Sequence, residues 1–349
     1  MMNILKKLHI KALISSTLAA ITLLAAPSCN AIYDDLPECT SGAKLRFIYD
    51  YNMDYANAFM HYVECLTVYI YDADGKYVTT RTVNGAPLAD ENYRMTVDLP
   101  AGHYRAVAYG GIGCNKASFS HPGGAPSQGS PYTSLSLLIN PAHLEENPGE
   151  AMHDLFWGTV EFSISETLGQ YTEATVKMIK DTNNVRIVLQ HVSGKPVDPD
   201  AFKWEITDDN TLMAHDNKVV SNGIVTYHPW VTGTLTGGYM SNGDPITDAY
   251  AEFSLARLVT ENGCLGNTGR KASRLRITRV KDGKEALSIY LIDALLQLRS
   301  DLYSQMPNQE YLDRESRWSL LFLLNENDTW YDINISINDW NVRYNDIEQ

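Results

Sequence analysis

The residue type in this chain best suited to covalent chemistry is cysteine, and the first of its five cysteines stands in a distinctive context. Cys29 follows Ala26-Pro27-Ser28, a run of small residues that ends an apolar stretch. Bacterial lipoprotein processing acts on such a cysteine: its sulfur is diacylated, and it becomes the first residue of the mature chain. We therefore predict that Cys29 is lipidated. At about 0.8 kcal/mol per buried methylene, three acyl chains make a permanent membrane anchor.

The residues before Cys29 have the pattern of an export signal. Three lysines precede an apolar stretch, Ala12 to Ala26, that is too short to serve comfortably as a membrane span. We predict that residues 1–28 are a lipoprotein signal peptide. Its removal takes away those three lysines and leaves 25 basic against 42 acidic side chains, so the net charge falls from -14 to -17. The remaining 321 of 349 residues are enough for two ordinary domains.

Motifs for catalysis, metal binding and nucleic-acid binding are missing from the sequence. The stretch Asp72 to Gly75 suggests a calcium loop, but Arg81 stands where an EF-hand needs its bidentate glutamate, so a tight hairpin turn is favoured. No His-Glu-x-x-His, Gly-x-Ser-x-Gly or phosphate-loop motif occurs. The densest basic segment, Arg270 to Lys284, alternates its charges with apolar residues. We predict no enzyme activity, no cofactor, no metal and no nucleic-acid partner.

The sequence after Cys39 alternates apolar and polar residues between turn signals, which is typical of antiparallel β-sandwiches. It predicts one hairpin around Asp74-Gly75 and a second around Pro100 to Gly102. A turn-rich hinge at Lys180 to Asn184 predicts two domains, 29–181 and 182–349. Residues 112–150 are expected to form a long loop with at most one short strand. Helical spacing from Ile292 to Arg299 predicts a minor helical insertion.

The cleanest alternating strand lies near the C-terminus. Its apolar set is Ile333, Ile335 and Ile337, and it restarts one residue out of phase with Trp340 and Val342. The change of phase predicts a bulge or a corner at residues 338–339. Such a strand can complete its own sheet or add to the open edge of another subunit. Alternation alone leaves both alternatives open, and we treat these five residues as a candidate donor strand.

Two further hypotheses concern cysteine pairing and tyrosine. Cysteines 39, 65, 114 and 264 contain no Cys-x-x-Cys pair, and an exported chain meets oxidising conditions. Cys39 and Cys114 both lie near predicted strand ends of the first domain, and we predict a disulfide between them that ties the tether to the sandwich. The 21 tyrosines could stack against sugars, but packing across strands is the favoured interpretation.

Several segments in order along the chain resemble the FimB/Mfa-like family of fimbrial anchor lipoproteins. The resemblance covers nearly all of the mature chain, and the order of the segments carries it more than any single one. Tyr109 departs from it, because the family version of "AYGG" has tryptophan at that place. The segments are "CNAIYDDLPEC", "LRFIYDYNMDYANAF", "VYIYDADGKYV", "DLPAGHYRAVAYGG", "YLIDALLQLRS", "QEYLDRESRWSLLFLL" and "WYDINISINDWNVRYND".

This resemblance implies an all-β fold of two tandem transthyretin-like antiparallel β-sandwich domains with minor helical insertions. It also implies an outer-membrane lipoprotein that anchors and terminates a type V pilus by strand exchange with a pilin. Pilins of this kind lose a lipidated first strand to an Arg- or Lys-specific protease. From Cys29 to Arg46 the only basic residues are Lys44 and Arg46, and both belong to a predicted strand.

Two alternatives remain open. The chain could be a shaft, accessory or tip pilin of the same superfamily, which would be trimmed and released from its lipid. It could instead be a surface glycan-binding lipoprotein, which would use exposed aromatic rings.

Overall fold

A computed structural model describes residues 40–115, 117–167, 169–260, 264–265, 273–337 and 340–343. Cys29, Cys39 and the signal segment lie outside the described residues. The described part is rich in β-strands, which are β1 Gly42–Ile48, β2 Cys65–Asp72, β3 Tyr77–Asn84, β4 Met95–Asp98, β5 Gly102–Gly110, β6 Phe119–Ser120, β7 Ser136–Ile139, β8 Phe156–Ile164, β9 Tyr171–Lys180, β10 Thr182–His191, β11 Phe202–Asp208, β12 Leu212–Ala214, β13 Val219–Val220, β14 Val225–Tyr227, β15 Val231–Tyr239, β16 Pro245–Ala256, β17 Cys264–Leu265, β18 Arg274–Arg279, β19 Glu285–Tyr290, β20 Arg317–Leu324, β21 Trp330–Ile337 and β22 Trp340–Arg343.

Helices are few and short in the described part. The α-helices are α1 Phe59–Tyr62, α2 Leu291–Gln297 and α3 Asn308–Arg314. Single 3₁₀ turns occupy Ala86–Ala89, Tyr132–Ser134, Pro141–Leu144, Pro199–Ala201 and Asp301–Tyr303. Helix α2 confirms the predicted helical insertion, and its residues Leu291, Ile292 and Leu295 are buried. The helices therefore act as packing insertions between strands.

Seven strands form the first sheet, in the order β3-β2-β5-β8-β9-β1-β4. One face packs around Leu45, Val68 and Val97, and the other places Tyr71 and Tyr109 against a second, larger core. Strand β2 lies where both faces are covered, and seven of its eight residues are buried. Its nearly continuous apolar sequence suits a strand buried on both faces.

The second half of the chain forms a six-stranded sheet, β15-β16-β10-β20-β21-β22, and a four-stranded sheet, β14-β11-β18-β19. Their inner residues share one core, with Ile187 and Phe322 from the former and Trp204 and Ile277 from the latter. The same core also takes Tyr71 from the seven-stranded sheet. A third group has the order β17-β13-β12-β7-β6. It takes two strands, β6 and β7, from residues 112–150, so the prediction of at most one short strand there is wrong.

Two predicted pairings are wrong. The sheets are mixed rather than purely antiparallel, since β1 runs parallel to β9 and β10 runs parallel to β20. Strands β4 and β5 do not form a hairpin, because β5 already has β2 on one side and β8 on the other. Strand β4 instead pairs with β1 at the far edge. The hairpin at Asp74-Gly75 is confirmed, because β2 and β3 pair directly.

The predicted division at residue 181 stays a prediction. The seven-stranded sheet uses strands that precede Asp181, and the six-stranded sheet uses strands that follow it. One hydrophobic core nevertheless includes residues from both sides of that position, such as Tyr69 and Val185.

The structure corrects the predicted disulfide. Cys114 bonds to Cys65, with 5.9 Å between their Cα atoms, so it is not available to Cys39. Cys65 begins β2, whose next residue pairs with the last residue of β5. The chain then turns back through Gly111 and Gly113, both with positive φ, and this brings Cys114 beside Cys65. Spacing in sequence cannot reveal this, because the turn depends on glycine conformations beyond β5.

Candidate functional site

The first strand of the described chain occupies an interior position in its sheet. Strand β1 pairs antiparallel with β4 from Gly42 opposite Asp98, and parallel with β9 from Gly42 opposite Tyr171. Ala43, Leu45 and Phe47 are buried beneath it. Strand β1 therefore has a neighbour on both sides and its apolar face in the core, so it is an integral part of the sheet.

The start of β1 fits closely against its neighbours. A Cβ atom placed on Gly42 would lie 2.2 Å from the carbonyl oxygen of Val97, so only glycine allows this approach. The Tyr171 hydroxyl donates to Asp98 at 2.7 Å and lies 2.8 Å from the Thr40 hydroxyl. The Ser41 hydroxyl donates to the carbonyl oxygen of Leu99 at 3.2 Å. The chain thus enters the sheet at a defined point.

Both basic residues of β1 lie within paired backbone. Lys44 is opposite Thr96 on β4 and Glu173 on β9, and Arg46 is opposite Thr175 on β9. Their side chains are exposed, but the peptide bonds beside them are held in the sheet. The predicted placement of these residues inside a strand is confirmed. A protease that cuts extended, unpaired segments has no such segment at either residue.

The candidate donor residues form a hairpin at one edge of the six-stranded sheet. Ile333 and Ile335 of β21 lie opposite Phe322 and Leu320 of β20. Strand β22 folds back on β21, with Ile335 opposite Val342 and Ile337 opposite Trp340. The predicted bulge or corner at residues 338–339 lies outside the described residues. In this structure the segment completes its own sheet.

A buried charged cluster joins the two halves of the chain at the β9–β10 connection. Asp181 accepts a hydrogen bond from the Asn217 side chain at 2.9 Å and lies 3.7 Å from the Arg257 guanidinium. Arg257 binds Asp313 through two nitrogen atoms, at 2.9 and 2.8 Å. Burial raises the pKa of Asp181 to about 7, although Arg257 and Asn217 act in the opposite direction. Sequence gives no signal for this cluster, because its members come from four distant segments.

A second contact across the same junction involves an arginine between aromatic rings. The Arg314 guanidinium of α3 lies 4.1 Å from the ring centre of Tyr51 and 4.5 Å from that of Tyr55. It also donates to Glu310 at 2.7 Å and to the backbone oxygen of Asn52 at 3.2 Å. Cation–π contacts of this geometry hold the segment after β1 against α3.

The remaining sequence motifs have structural roles. The Asp72 carboxylate accepts backbone N–H bonds from Asp74 at 3.0 Å and Lys76 at 2.8 Å, which is turn chemistry. No group of three potential ligands that could hold a metal occurs in the part of the chain that the structure describes. Among the described helices, none is long and apolar enough to cross a membrane. Tyr71, Tyr227 and Tyr311 are among the largest fully buried side chains, which supports the packing interpretation.

These features describe a β-rich protein. The chain belongs to the family of fimbrillin-A-associated anchor proteins Mfa1 and Mfa2, whose model matches residues 36–346. This family comprises fimbrial anchors and adhesins and is not enzymatic. Membership implies fimbrial subunits as partners and a place at the cell surface. The resemblance found in the sequence is thereby confirmed.

Several solved structures are similar to the chain. A candidate adhesin of Bacteroides thetaiotaomicron VPI-5482 is 46% identical, with a TM-score of 0.81, and the match covers 89% of this chain and 100% of that one. A candidate polysaccharide-binding protein of the same organism is 29% identical, with a TM-score of 0.71 and coverage of 88% and 98%. The fimbrial anchor protein Mfa2 of Porphyromonas gingivalis shares the fold at 16% identity, with a TM-score of 0.62 and coverage of 87% and 99%. No curated protein matches the chain.

Proposed function

We propose that this protein is an outer-membrane lipoprotein that anchors and terminates a fimbria by strand-exchange contact with a pilin. One lipid-bearing residue, Cys29, holds it in the membrane, and two tandem transthyretin-like β-sandwich domains, 29–181 and 182–349, follow. The observation that carries the proposal is the position of β1. Since β1 is paired on both sides and its apolar residues are buried, the sheet retains the strand that leads to the lipid.

Retention of β1 explains why assembly would stop at this subunit. A pilin that loses its first strand exposes a groove which the next subunit fills. Here the equivalent place is filled by β1 itself, and Lys44 and Arg46 lie in paired backbone. The fibre therefore ends at the membrane, and its last pilin receives the C-terminal strand that contains Ile333, Ile335, Ile337, Trp340 and Val342. For that exchange the β21–β22 hairpin must leave the edge of its own sheet.

A Cys29→Ala strain tests the anchor function. We expect long fimbriae in the culture medium, because the last subunit no longer carries a lipid. Fimbriae that stay attached to the Cys29→Ala cells contradict the proposal.

Deletion of residues 332–349 tests strand donation separately: the protein should reach the membrane while the fimbriae detach. Firmly attached fimbriae in that strain exclude the donor role.

Mass spectrometry of the mature N-terminus distinguishes an anchor from a shaft, accessory or tip pilin. An acylated Cys29 supports the anchor. A chain that begins after Lys44 or Arg46 supports a processed pilin, because trimming there removes the lipid together with the start of β1.

A second candidate function is glycan binding at the cell surface. Its support is a cavity of about 600 Å³ near the β2–β3 turn, lined by residues that include Asp74, His103, Tyr132 and Glu161. The Arg105 guanidinium lies 4.1 Å from the ring centre of Tyr132, so it covers one face of that ring. Binding to a polysaccharide array that is lost in Arg105→Ala would support this function. An array without signal excludes it.

A further inference from the structure

The outer edge of the six-stranded sheet opposite β22 is formed by β15. This strand pairs with β16 from Val231 opposite Glu252 to Tyr239 opposite Pro245. No strand in the described part of the chain lies on its other side. Strand β15 has nine residues, which at about 3.3 Å per residue gives an open edge roughly 30 Å long.

This edge lacks most of the devices that usually prevent unwanted pairing. Natural edge strands are short or covered, carry charged residues or proline, or contain β-bulges. Of these devices, β15 has a bulge between Thr236 and Gly238. The sequence of β15 is VTGTLTGGY, without a charged residue or proline. Three of its exposed side chains are the threonines 232, 234 and 236. A long, uncharged and uncovered edge of this kind indicates a surface that is used.

Two glycines of β15 are covered by side chains of the neighbouring strand β16. A Cβ atom on Gly233 would lie 2.9 Å from the hydroxyl oxygen of Tyr250, whose ring covers the glycine. A Cβ atom on Gly237 would lie 1.7 Å from the carboxylate of Asp248, which also accepts a hydrogen bond from Gln190 at 3.0 Å. Cross-strand side chains that cover edge glycines stabilise the strand without adding bulk to it. The edge is therefore ordered and also accessible.

Exposed apolar side chains continue from the end of β15. Tyr239 is 73% exposed and Met240 is 38% exposed. Val192, which follows β10 at the same end of the sheet, is 52% exposed. Gly194 packs against Met240, since a Cβ atom there would lie 2.9 Å from the methionine sulfur. Large apolar residues that are exposed near an uncovered strand edge can contribute to an interaction site.

We propose that the outer edge of β15 accepts an extended strand from a fimbrial subunit, which extends the sheet by one strand and covers Tyr239 and Met240. This inference rests on the proposed function. The edge offers main-chain hydrogen bonds and threonine hydroxyls but no charge, so it suits an uncharged, alternating segment of about eight residues. A charged segment would lose solvation and gain no ion pair.

Family membership favours a fimbrial subunit over a second copy of this chain, because fimbrial subunits are the partners that the anchor family implies. A second copy would instead pair β15 with itself in a symmetric dimer. The test below distinguishes the two occupants.

The test compares Thr234→Lys with a matched control, Asn84→Lys, in the full-length lipidated protein. Asn84 is also exposed on an edge strand, β3, but in the seven-stranded sheet. Both variants should unfold at the wild-type urea concentration. Because the C-terminal strand holds a pilin in the proposed function, the readout is the amide exchange of β15 and not the amount of bound subunits. Thr234→Lys should abolish the slowing of β15 exchange that added fimbriae cause, and Asn84→Lys should retain it. Equal slowing in the two variants overturns the proposal.

Hydrogen exchange supplies a direct readout at the backbone. When fimbriae isolated from the same cells are added, amides of β15 should exchange at least tenfold more slowly than in the free protein. Unchanged exchange of β15 overturns the proposal.

A dimer in light scattering that Thr234→Lys dissociates would instead assign the edge to a second copy of this chain. The Cys29→Ala strain tests anchoring independently: shed fibres together with unchanged β15 exchange would retain the anchor function and remove this docking edge.

Discussion

The edges of the two large sheets are constructed differently. In the seven-stranded sheet, β4 has only four residues and β3 carries Arg81. The beginning of β3 is also covered, since the backbone N–H of Tyr77 donates to Ser130 at 2.8 Å. Strand β15 of the six-stranded sheet is long, uncharged and uncovered. The first sheet is thus protected against further pairing, whereas the second leaves one edge open.

The difference assigns separate tasks to the two sheets. The interior of the first sheet holds β1, the strand nearest to the predicted lipid, and its protected edges discourage addition or replacement of strands. The second sheet has the C-terminal hairpin at one edge and β15 at the other, so its exchangeable parts lie at the periphery. Under the proposed function, retention of the strand nearest the lipid depends on the first sheet, and partner contact depends on the second.

The largest expected effect concerns the disulfide of the first sheet. It closes a loop of 49 residues, for which loss of chain entropy predicts a contribution of about 4 kcal/mol. In urea unfolding, the free energy of unfolding of a Cys65→Ala/Cys114→Ala variant should be lower than that of the wild type by about this amount. Reduction should destabilise the wild type and leave the variant unchanged. If the variant is as stable as the wild type, the crosslink does not contribute to the strength of the first sheet.

A second prediction compares leucines from the two regions. Leu45 of β1 is completely buried, and its replacement by alanine should reduce the free energy of unfolding by about 3 kcal/mol. Leu235 of β15 is only half-buried, and Leu235→Ala should cost less than about 1 kcal/mol. Urea denaturation of both variants provides the measurement. Equal losses would mean that β15 is as firmly integrated as β1, which would remove the contrast between the sheets.

Sequence predicts the features of this fold that depend on neighbouring residues. Asp74-Gly75 specifies its hairpin because the favoured turn type needs those residues, and helix α2 follows from apolar spacing within seven residues. The alternation of Ile333 to Ile337 likewise predicts strand β21.

Features that join distant segments could not be predicted in the same way. Alternation places β4 and β5 in strands but does not show that β5 is already paired on both sides. The partner of Cys114 depends on two left-handed glycines, and the cluster of Asp181, Arg257 and Asp313 forms only after the halves pack together. Sequence reasoning found the candidate donor strand, but it had no signal for the open edge of β15 beyond the missing charges.

A third prediction tests the connection between the two sheets through pH. Because burial raises the pKa of Asp181 to about 7, the folded protein binds a proton between about pH 4 and 7 that the unfolded chain has released. The contribution of Asp181 to stability should therefore fall as pH rises through this range, by up to about 1.4 kcal/mol per pH unit. Burial lowers the pKa values of His121 and His143, and these two groups act in the opposite direction.

Asp181→Asn should remove this slope, whereas Asp248→Asn serves as a control within the six-stranded sheet. Burial raises the pKa of Asp248 to about 6, so its contribution to the pH dependence of stability ends about one pH unit lower than that of Asp181. Between pH 6 and 7 the wild type should accordingly lose up to about 1.4 kcal/mol per pH unit relative to Asp181→Asn, whereas Asp248→Asn should follow the wild type. Urea unfolding of the three proteins at several pH values measures the difference. A pH dependence that is the same in the wild type and in Asp181→Asn places the responsible group elsewhere.

The smallest expected effect concerns Arg314, whose guanidinium lies between Tyr51 and Tyr55. Arg314→Met keeps most of the aliphatic packing and removes the charge. The free energy of unfolding should therefore fall by about 1 kcal/mol, because partly exposed cation–π contacts are lost. Arg317→Met is the matched control, because its guanidinium lies 6.0 Å from the ring centre of Tyr62 and its residue is exposed.

Hydrogen exchange decides whether this contact joins the two halves or stabilises α3 alone. If Arg314 holds the segment after β1 against α3, amides near Tyr51 and Tyr55 should exchange faster in Arg314→Met and stay unchanged in Arg317→Met. Faster exchange confined to α3 would mean that the bond to Glu310 is the contact that matters. The junction would then depend on the buried cluster around Asp181, and strain applied to a fibre would pass from β15 to β1 through that cluster.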